Sequence, residues 1–277
     1  MSKKITIDAE KCRKDDLCVN ICPGNYILRT GGDSLPAMAE NIDEQCMSCG
    51  HCVMVCSTGA LDHSDIRAND CELVDGTQKL MPNQTVRVLK SRRSIRNFKK
   101  KIVERETIES LVDLTKYAPS GCNTQMVHWT IIANKDRLDK LKKLCIDGLK
   151  HFAAQNSEAN FLTVGYIHEI IAAWDRGEDQ ILWDAPVLLT ASSPKDAPCE
   201  NIDLIIAFSH LDIAAPSFKL GTCWTGTFSD MIHYWEPLRK EMNVESHPYF
   251  YSMILGYPKY RFHRYPKRNR PKIRWEM

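Results

Sequence analysis

One cysteine rhythm occurs twice in this chain. The stretch "CMSCGHCVMVCSTG" places Cys46, Cys49, Cys52 and Cys56 in a C-x2-C-x2-C-x3-C spacing. Shifted back by 34 positions, the same pattern falls on "CRKDDLCVNICPG". Cys12 then matches Cys46, Cys18 matches Cys52 and Cys22 matches Cys56, while Asp15 stands where Cys49 sets the pattern. The first segment is an internal repeat with one donor exchanged. Three donors at three-residue steps on a tight loop can wrap one cubane of iron and sulfide, and the fourth, three residues on, reaches the other cluster. The rule sorts Cys12, Asp15, Cys18 and Cys56 to one cluster and Cys46, Cys49, Cys52 and Cys22 to a second.

Asp15 offers a hard oxygen to a soft iron, so binding at that corner is expected to be weaker. The first cluster is then either [4Fe–4S] with a carboxylate ligand or [3Fe–4S] with the corner empty. The plainer reading makes Asp15 a solvated loop residue beside Asp16. Zinc or free thiols are the rival for the whole region, but structural zinc favours two well-separated C-x2-C pairs. Pro23 closes the first run, and Ser57 stands at the matching place in the second. Residues 1–62 resemble a two-cluster bacterial-type ferredoxin on these motifs. Of the twelve cysteines, Cys71, Cys122, Cys145, Cys199 and Cys223 lie outside the rhythm. In a reducing compartment, clustered cysteines are more often metal ligands than disulfides.

The 277 residues suffice for one or two domains with a sizeable core. No apolar run approaches the about 20 residues of a membrane span. The start, "MSKKITIDAEKC", is basic but has no apolar stretch behind it, so no secretory signal is expected and the cytoplasm is the default. The net charge of +2 favours neither nucleic acid nor membrane. Residues 1–80 carry 8 Lys+Arg against 13 Asp+Glu, and the remainder carries 29 against 22. That break fits two domains joined near residue 80.

Residues 63–84, with Gly76, Pro82 and Asn83, read as a linker. In "VRVLKSRRSIRNF", Val86 and Leu89 are spaced for one face of a short helix that runs into Arg92, Arg93, Ser94, Arg96 and Lys99. Guanidinium forks suit phosphate, and the serine adds a donor. A helix carrying Ile108, Leu111, Val112 and Leu114 stops at Pro119 and Gly121, and "HWTIIA" reads as a strand. Between them, Ser120, Asn123 and Gln125 crowd one loop that can offer amides and a hydroxyl to the edge of a polar ring.

The segments "RRSIRNF", "APSGCNTQ", "DAPVLLTAS", "KLGTCWTGTF" and "LGYPKYRFHRYPKRNRP", in that order, resemble the nitroreductase family over residues 85–277. The whole chain is similar to the ferredoxin-fused members of that family. The resemblance implies an α+β fold with a mixed central sheet, FMN, and an obligate homodimer whose subunits share each site. By position, Arg92, Arg93, Ser94 and Arg96 are implied to hold the phosphate and ribityl chain. Pro119, Ser120, Asn123 and Gln125 are implied to line the isoalloxazine from the other subunit. Trp224, Thr225 and Gly226 fall near its reactive nitrogen, and Arg264 and Arg268 complete the phosphate site, with Arg270 competing with Arg268. Met126 departs from the family's Gln-Pro pair. There is no G-x-G-x-x-G after a strand, so a Rossmann dinucleotide site is not expected.

The stretch Lys259–Arg274 holds eight Lys or Arg in sixteen residues and reads as an arm partly on the flavin phosphate, with a solvated face and a nucleic-acid patch as rivals. "FLTVGYIHEIIAAW" reads as a buried helix at the dimer core with His168 satisfied inside it, and "NIDLIIAFSHLDIAAPSFKLG" as a core helix containing Pro216. The expected activity is an FMN oxidoreductase. Electrons enter through the clusters from an external low-potential donor of the ferredoxin type, and an electron-poor acceptor such as a nitroaromatic or quinone is reduced. Two alternatives stand beside it: NAD(P)H oxidation with electron export through the clusters, and a carrier or sensor without turnover.

Overall fold

The computed structural model describes residues 4–40, 42, 44–77, 79–155, 161–244 and 246–277, with the backbone alone at 161–164. Contacts divide the chain into Met1–Lys79 with Cys122–Thr124, and Leu80–Gly121 with Gln125–Met277. The boundary thus lies at Lys79, inside the expected linker. That segment is also less featureless than expected: His63 closes a strand, Ala68–Asp70 form a 3-10 turn, and a helix begins at Pro82.

In the first unit the sequence repeat reappears in the backbone. Short helices α1 (Leu17–Ile21) and α2 (His51–Met54) begin 34 residues apart. So do three left-handed positions: Lys14 and Ser48 (φ 54° and 49°), Asp16 and Gly50 (60° and 73°), Asn25 and Gly59 (55° and 62°). A left-handed residue costs an L-amino acid roughly 1–2 kcal/mol. Paired occurrence therefore reflects loop shape rather than residue preference. Strand β1 (Ile5–Ile7) pairs antiparallel with β4 (Leu61–His63), and β2 (Ile27–Leu28) with β3 (Ala37–Met38). Ile5, Ile27, Val53 and Leu61 form the core, against which Cys18, Cys22, Cys52 and Cys56 pack.

The second unit is built on four antiparallel strands in the order β5-β6-β8-β7: β5 (His128–Ile132), β6 (Val187–Ser193), β7 (Gly221–Trp224) and β8 (Tyr249–Gly256). A mixed sheet was expected. Among the described residues, the parallel component shrinks to one bridge, Ser94 with Thr222, because only Ile95 N–H reaches the Thr222 carbonyl (2.8 Å) before the chain turns away. Every residue of β6 is buried, and alternate side chains serve opposite faces. Leu188 and Ile254 join one core with α5 (Lys135–Gln155), α6 (Phe161–Asp175), α8 (Gly226–Tyr234) and α9 (Glu236–Met242). Leu189, Met253 and Leu255 join the other with α4 (Arg105–Asp113) and α7 (Glu200–Ala214). An amphipathic α3 (Pro82–Ser91) precedes them.

Two expectations about helices are corrected. Pro216 lies outside α7, in a 3-10 turn over Ala215–Phe218, since proline within the helix would lose a hydrogen bond and clash one turn back. His168 is exposed, because Ile167, Ile170 and Ala173 take the buried face of α6. No helix among the described residues is long and apolar enough to cross a membrane.

Phe208 joins α7 to the sheet, fully buried and edge-on to Trp129 at 4.8 Å. Phe208→Ala is expected to lower stability by about 3–5 kcal/mol, read as a fall in the urea midpoint of the second unit with an unchanged m-value.

Candidate functional site

The cysteine-rich unit contains two small cavities. One is lined by Cys46, Cys49, Cys52 and Cys22, together with His63. The other is lined by Cys12, Asp15, Cys18 and Cys56. Each cavity thus takes three positions from one run and the fourth cysteine of the other, the crossing expected from the spacing. All twelve cysteines are free. Among the described residues, no three or more His, Cys, Asp or Glu side chains are grouped to hold a metal ion, so the ligand sets rest on the linings alone.

The fourth cysteine of each run accepts a matching backbone bond: Tyr26 N–H to Cys22 Sγ (3.4 Å) and Ala60 N–H to Cys56 Sγ (3.2 Å). Burial pushes the Cys18 thiol up, and the Cys52 thiol up to about 11. Burial also works against the Cys56 thiolate, but the Thr58 hydroxyl and the Ala60 N–H outweigh it and hold Cys56 below the usual thiol value. Asp15 is exposed, and its Oδ1 accepts the Leu17 N–H at 3.3 Å.

In the second unit the polar groups are organised by a residue that sequence reasoning missed. Asp212 sits on α7 and is 4% exposed. One carboxylate oxygen accepts the Thr222 hydroxyl. The other accepts Trp224 Nε1–H at 3.1 Å and Arg92 Nη1–H at 3.3 Å. Arg92 is therefore committed to a buried carboxylate. Arg93 lies with Arg92, Asp212 and Thr222 in one cleft, and with Ser91 and Arg264 in an adjoining one. Arg96 is exposed, its guanidinium 5.8 Å from the centre of the Trp183 ring. Ser94 is exposed at its bridge to Thr222. Arg268 and Arg270 lie on the exposed, irregular tail and line neither cleft.

The Trp224 ring packs between Phe208 and Tyr251, each 5.4 Å away. Thr225 precedes α8, and its buried Oγ1 has no hydrogen-bond partner among the described residues. A Cβ added at Gly226 would stand 3.2 Å from Tyr251 Oη.

The loop residues gather elsewhere. Pro119, Ser120 and Gln125 line a cleft with Trp129 and Asp203. Asp203, 3% exposed, accepts the Gly121 N–H on both oxygens, at 3.0 and 3.1 Å. The Ser120 hydroxyl accepts Gln125 N–H at 3.0 Å. Asn123 groups with the first unit. The residues predicted to hold flavin thus fall into separate places in one chain. Asp203 and Asp212 carried one signal in the sequence: each is a carboxylate set beside the apolar residues that make the buried stripe of the helix, Leu204 and Leu211.

A model of the nitroreductase family matches residues 89–257. This chain belongs to the nitroreductase family. It is thereby a flavin oxidoreductase of the nitroreductase type, and the match leaves the cysteine repeat outside it. A Methanothermobacter thermautotrophicus (strain Delta H) protein named for NADH dehydrogenase or NAD(P)H nitroreductase activity is 25% identical over 194 residues, 67% of this chain and 82% of the relative. A Bacteroides fragilis NCTC 9343 nitroreductase solved with bound FMN aligns at 20% identity over 69% of this chain and 95% of its own, with a TM-score of 0.53. An FMN-dependent nitroreductase from Clostridium difficile R20291 aligns at 19% identity over 70% and 100%, also at 0.53. These two likenesses give the nitroreductase unit its fold, α+β with an antiparallel sheet.

Asp212→Ala strands the Arg92, Thr222 and Trp224 donors. It is expected to cost about 1.5–3 kcal/mol, measured by denaturant unfolding of the second unit. In metal-free reduced protein at pH 8, iodoacetamide is expected to label Cys56 well before Cys52, whose raised pKa leaves little thiolate; peptide mass spectrometry over a time course reads the order.

Proposed function

We propose that this chain is an FMN-dependent oxidoreductase that takes in single electrons at two iron–sulfur clusters and reduces an electron-poor organic acceptor, such as a nitroaromatic or a quinone. The observation that carries the cluster assignment is the crossed lining of the two cavities, Cys12, Asp15, Cys18 and Cys56 in one and Cys46, Cys49, Cys52 and Cys22 in the other. Family membership carries the flavin half, and both solved relatives are named for FMN. Bound here, FMN would supply two-electron reduction of the acceptor, and the clusters would supply one-electron transfer.

The protein's own residues fit these groups. Arg93 and Arg264 share a cleft that would hold a phosphate. Asp212 fixes Arg92 and Trp224 beside it. The Thr225 hydroxyl, which the family resemblance puts near the ring, is buried and without a hydrogen-bond partner among the described residues. The clefts of Arg93 and of Pro119, Ser120 and Gln125 share no lining residue. That separation supports a site assembled in a homodimer, one chain giving the arginines and its partner the loop. Exposed apolar side chains on α3, Val86 at 45% and Leu89 at 55%, support a covered face there. The relative's name favours a second donor, NAD(P)H. Rapid anaerobic bleaching of the flavin by NADH or NADPH would select it, and none would select a ferredoxin-type donor.

Anaerobic protein is expected to carry about eight irons, as many sulfides and one FMN per chain. A count of four irons or fewer on fully loaded protein rules out a cluster at the first run. If Asp15 is a ligand, mild oxidation yields a three-iron EPR signal in the wild type that is absent from Asp15→Cys. Identical spectra from the two proteins would remove Asp15 from the ligand set.

A further inference from the structure

The halves of the cysteine repeat differ in what stands beside their first cysteine. In the 34-residue repeat, His63 matches Arg29, and Cys46 matches Cys12. His63 ends β4, is 3% exposed and lines the second cysteine cavity. Its Nδ1 accepts the Asp65 N–H at 3.1 Å. A neutral imidazole whose Nδ1 accepts carries its proton on Nε2. That nitrogen lies 3.6 Å from Cys46 Sγ. The tautomer is therefore set by the backbone, and the N–H is aimed at sulfur.

Arg29 does something else at the matching place. Its Nε and Nη2 each meet an Asp16 carboxylate oxygen at 2.5 Å. The backbone donors to Cys22 and Cys56 are the same in both halves, so they cannot set the halves apart. Two side-chain contacts can: the His63 ring beside Cys46, and the Thr58 hydroxyl, 3.6 Å from Cys56 Sγ on the other cysteine set.

Resting on the reading that these cysteines hold two clusters, we propose that His63 is a tuning residue of the second one. It donates Nε2–H to the Cys46 thiolate and raises that cluster's reduction potential. An electron added to an iron–sulfur cluster places part of its charge on the ligating sulfurs. A donor aimed at one of them stabilises the reduced state over the oxidised state. Burial strengthens the effect by excluding water from the bond. The cluster held by Cys12, Asp15, Cys18 and Cys56 lacks this histidine, so the two clusters are tuned separately.

The test uses the full chain prepared without oxygen as wild type, His63→Leu and His63→Gln, with iron and sulfide counted before EPR redox titration. Glutamine returns an amide N–H near the place of Nε2. In His63→Leu, one of the two cluster midpoints is expected to move to lower potential while the other stays. His63→Gln is expected to recover part of the shift. Full iron in His63→Leu with both midpoints unmoved overturns the proposal. Wild-type protein that takes up no iron or sulfide overturns the cluster reading beneath it instead. If His63→Leu loads no iron, pulsed EPR of ¹⁵N-histidine-labelled protein decides. It is run on His51→Gln, which removes the other histidine lining that cavity. A nitrogen coupling to a reduced cluster is expected, and its absence overturns the proposal.

Discussion

A single buried carboxylate arranges the polar groups of the nitroreductase unit. Asp212 is buried on α7, where an unpaired charge would be costly to hold. It is satisfied by three donors from separate parts of the sequence: Arg92 after α3, and Thr222 and Trp224 on β7. The bonds tie the start of the family match to its sheet. They also hold Arg92 away from the cleft that Arg93 and Arg264 line, while Arg93 itself is anchored through Nη1 to the Lys90 and Arg92 carbonyls at 2.7 and 2.6 Å. Asp203 on the same helix does similar work for the Pro119–Gln125 loop by receiving the Gly121 N–H on both oxygens. Helix α7 therefore packs the core through Leu204, Phe208 and Leu211 and positions two polar segments through its aspartates.

The cysteine-rich unit rests on a different constraint, the shape of a repeated loop. The left-handed positions recur at matched places even where the residue is not glycine, as at Lys14, Asp16, Asn25 and Ser48. Such backbone is tolerated where the surroundings over-determine it, which is common at ligand clamps. The two copies are not equivalent, however. Arg29 closes on Asp16 where His63 faces Cys46, and Asp15 stands where Cys49 does.

The nitroreductase unit leaves its predicted flavin residues in separate clefts. Helix α3 and the tail 261–277 present apolar and basic side chains to solvent, among them Leu89, Ile273 and Trp275. Exposed apolar groups in that number call for a covering surface. The homodimer proposed above would supply that surface and would also join the clefts.

Much of this was legible in the sequence because it depends on spacing. The cysteine rhythm named residues that line both cavities, and the crossing of Cys22 and Cys56 follows from a three-residue step that turns a side chain away from its own loop. The motifs from "RRSIRNF" to "LGYPKYRFHRYPKRNRP" carried the family, and the apolar periodicity of α4 and the run "HWTIIA" became a helix and a strand. Spacing cannot report which buried charge finds which donor. Arg92 to Asp212 spans 120 residues and Gly121 to Asp203 spans 82, so neither pairing leaves a local trace. Nor could spacing show that His168 faces outward, or that His63 is turned by the Asp65 amide toward sulfur. The sequence by itself determined the repeat, the cysteines that line each small cavity, and the family. The tertiary structure alone decided the long-range pairings of buried polar groups, because each is settled by the cost of leaving a charge or an N–H unsatisfied once the core has closed around it.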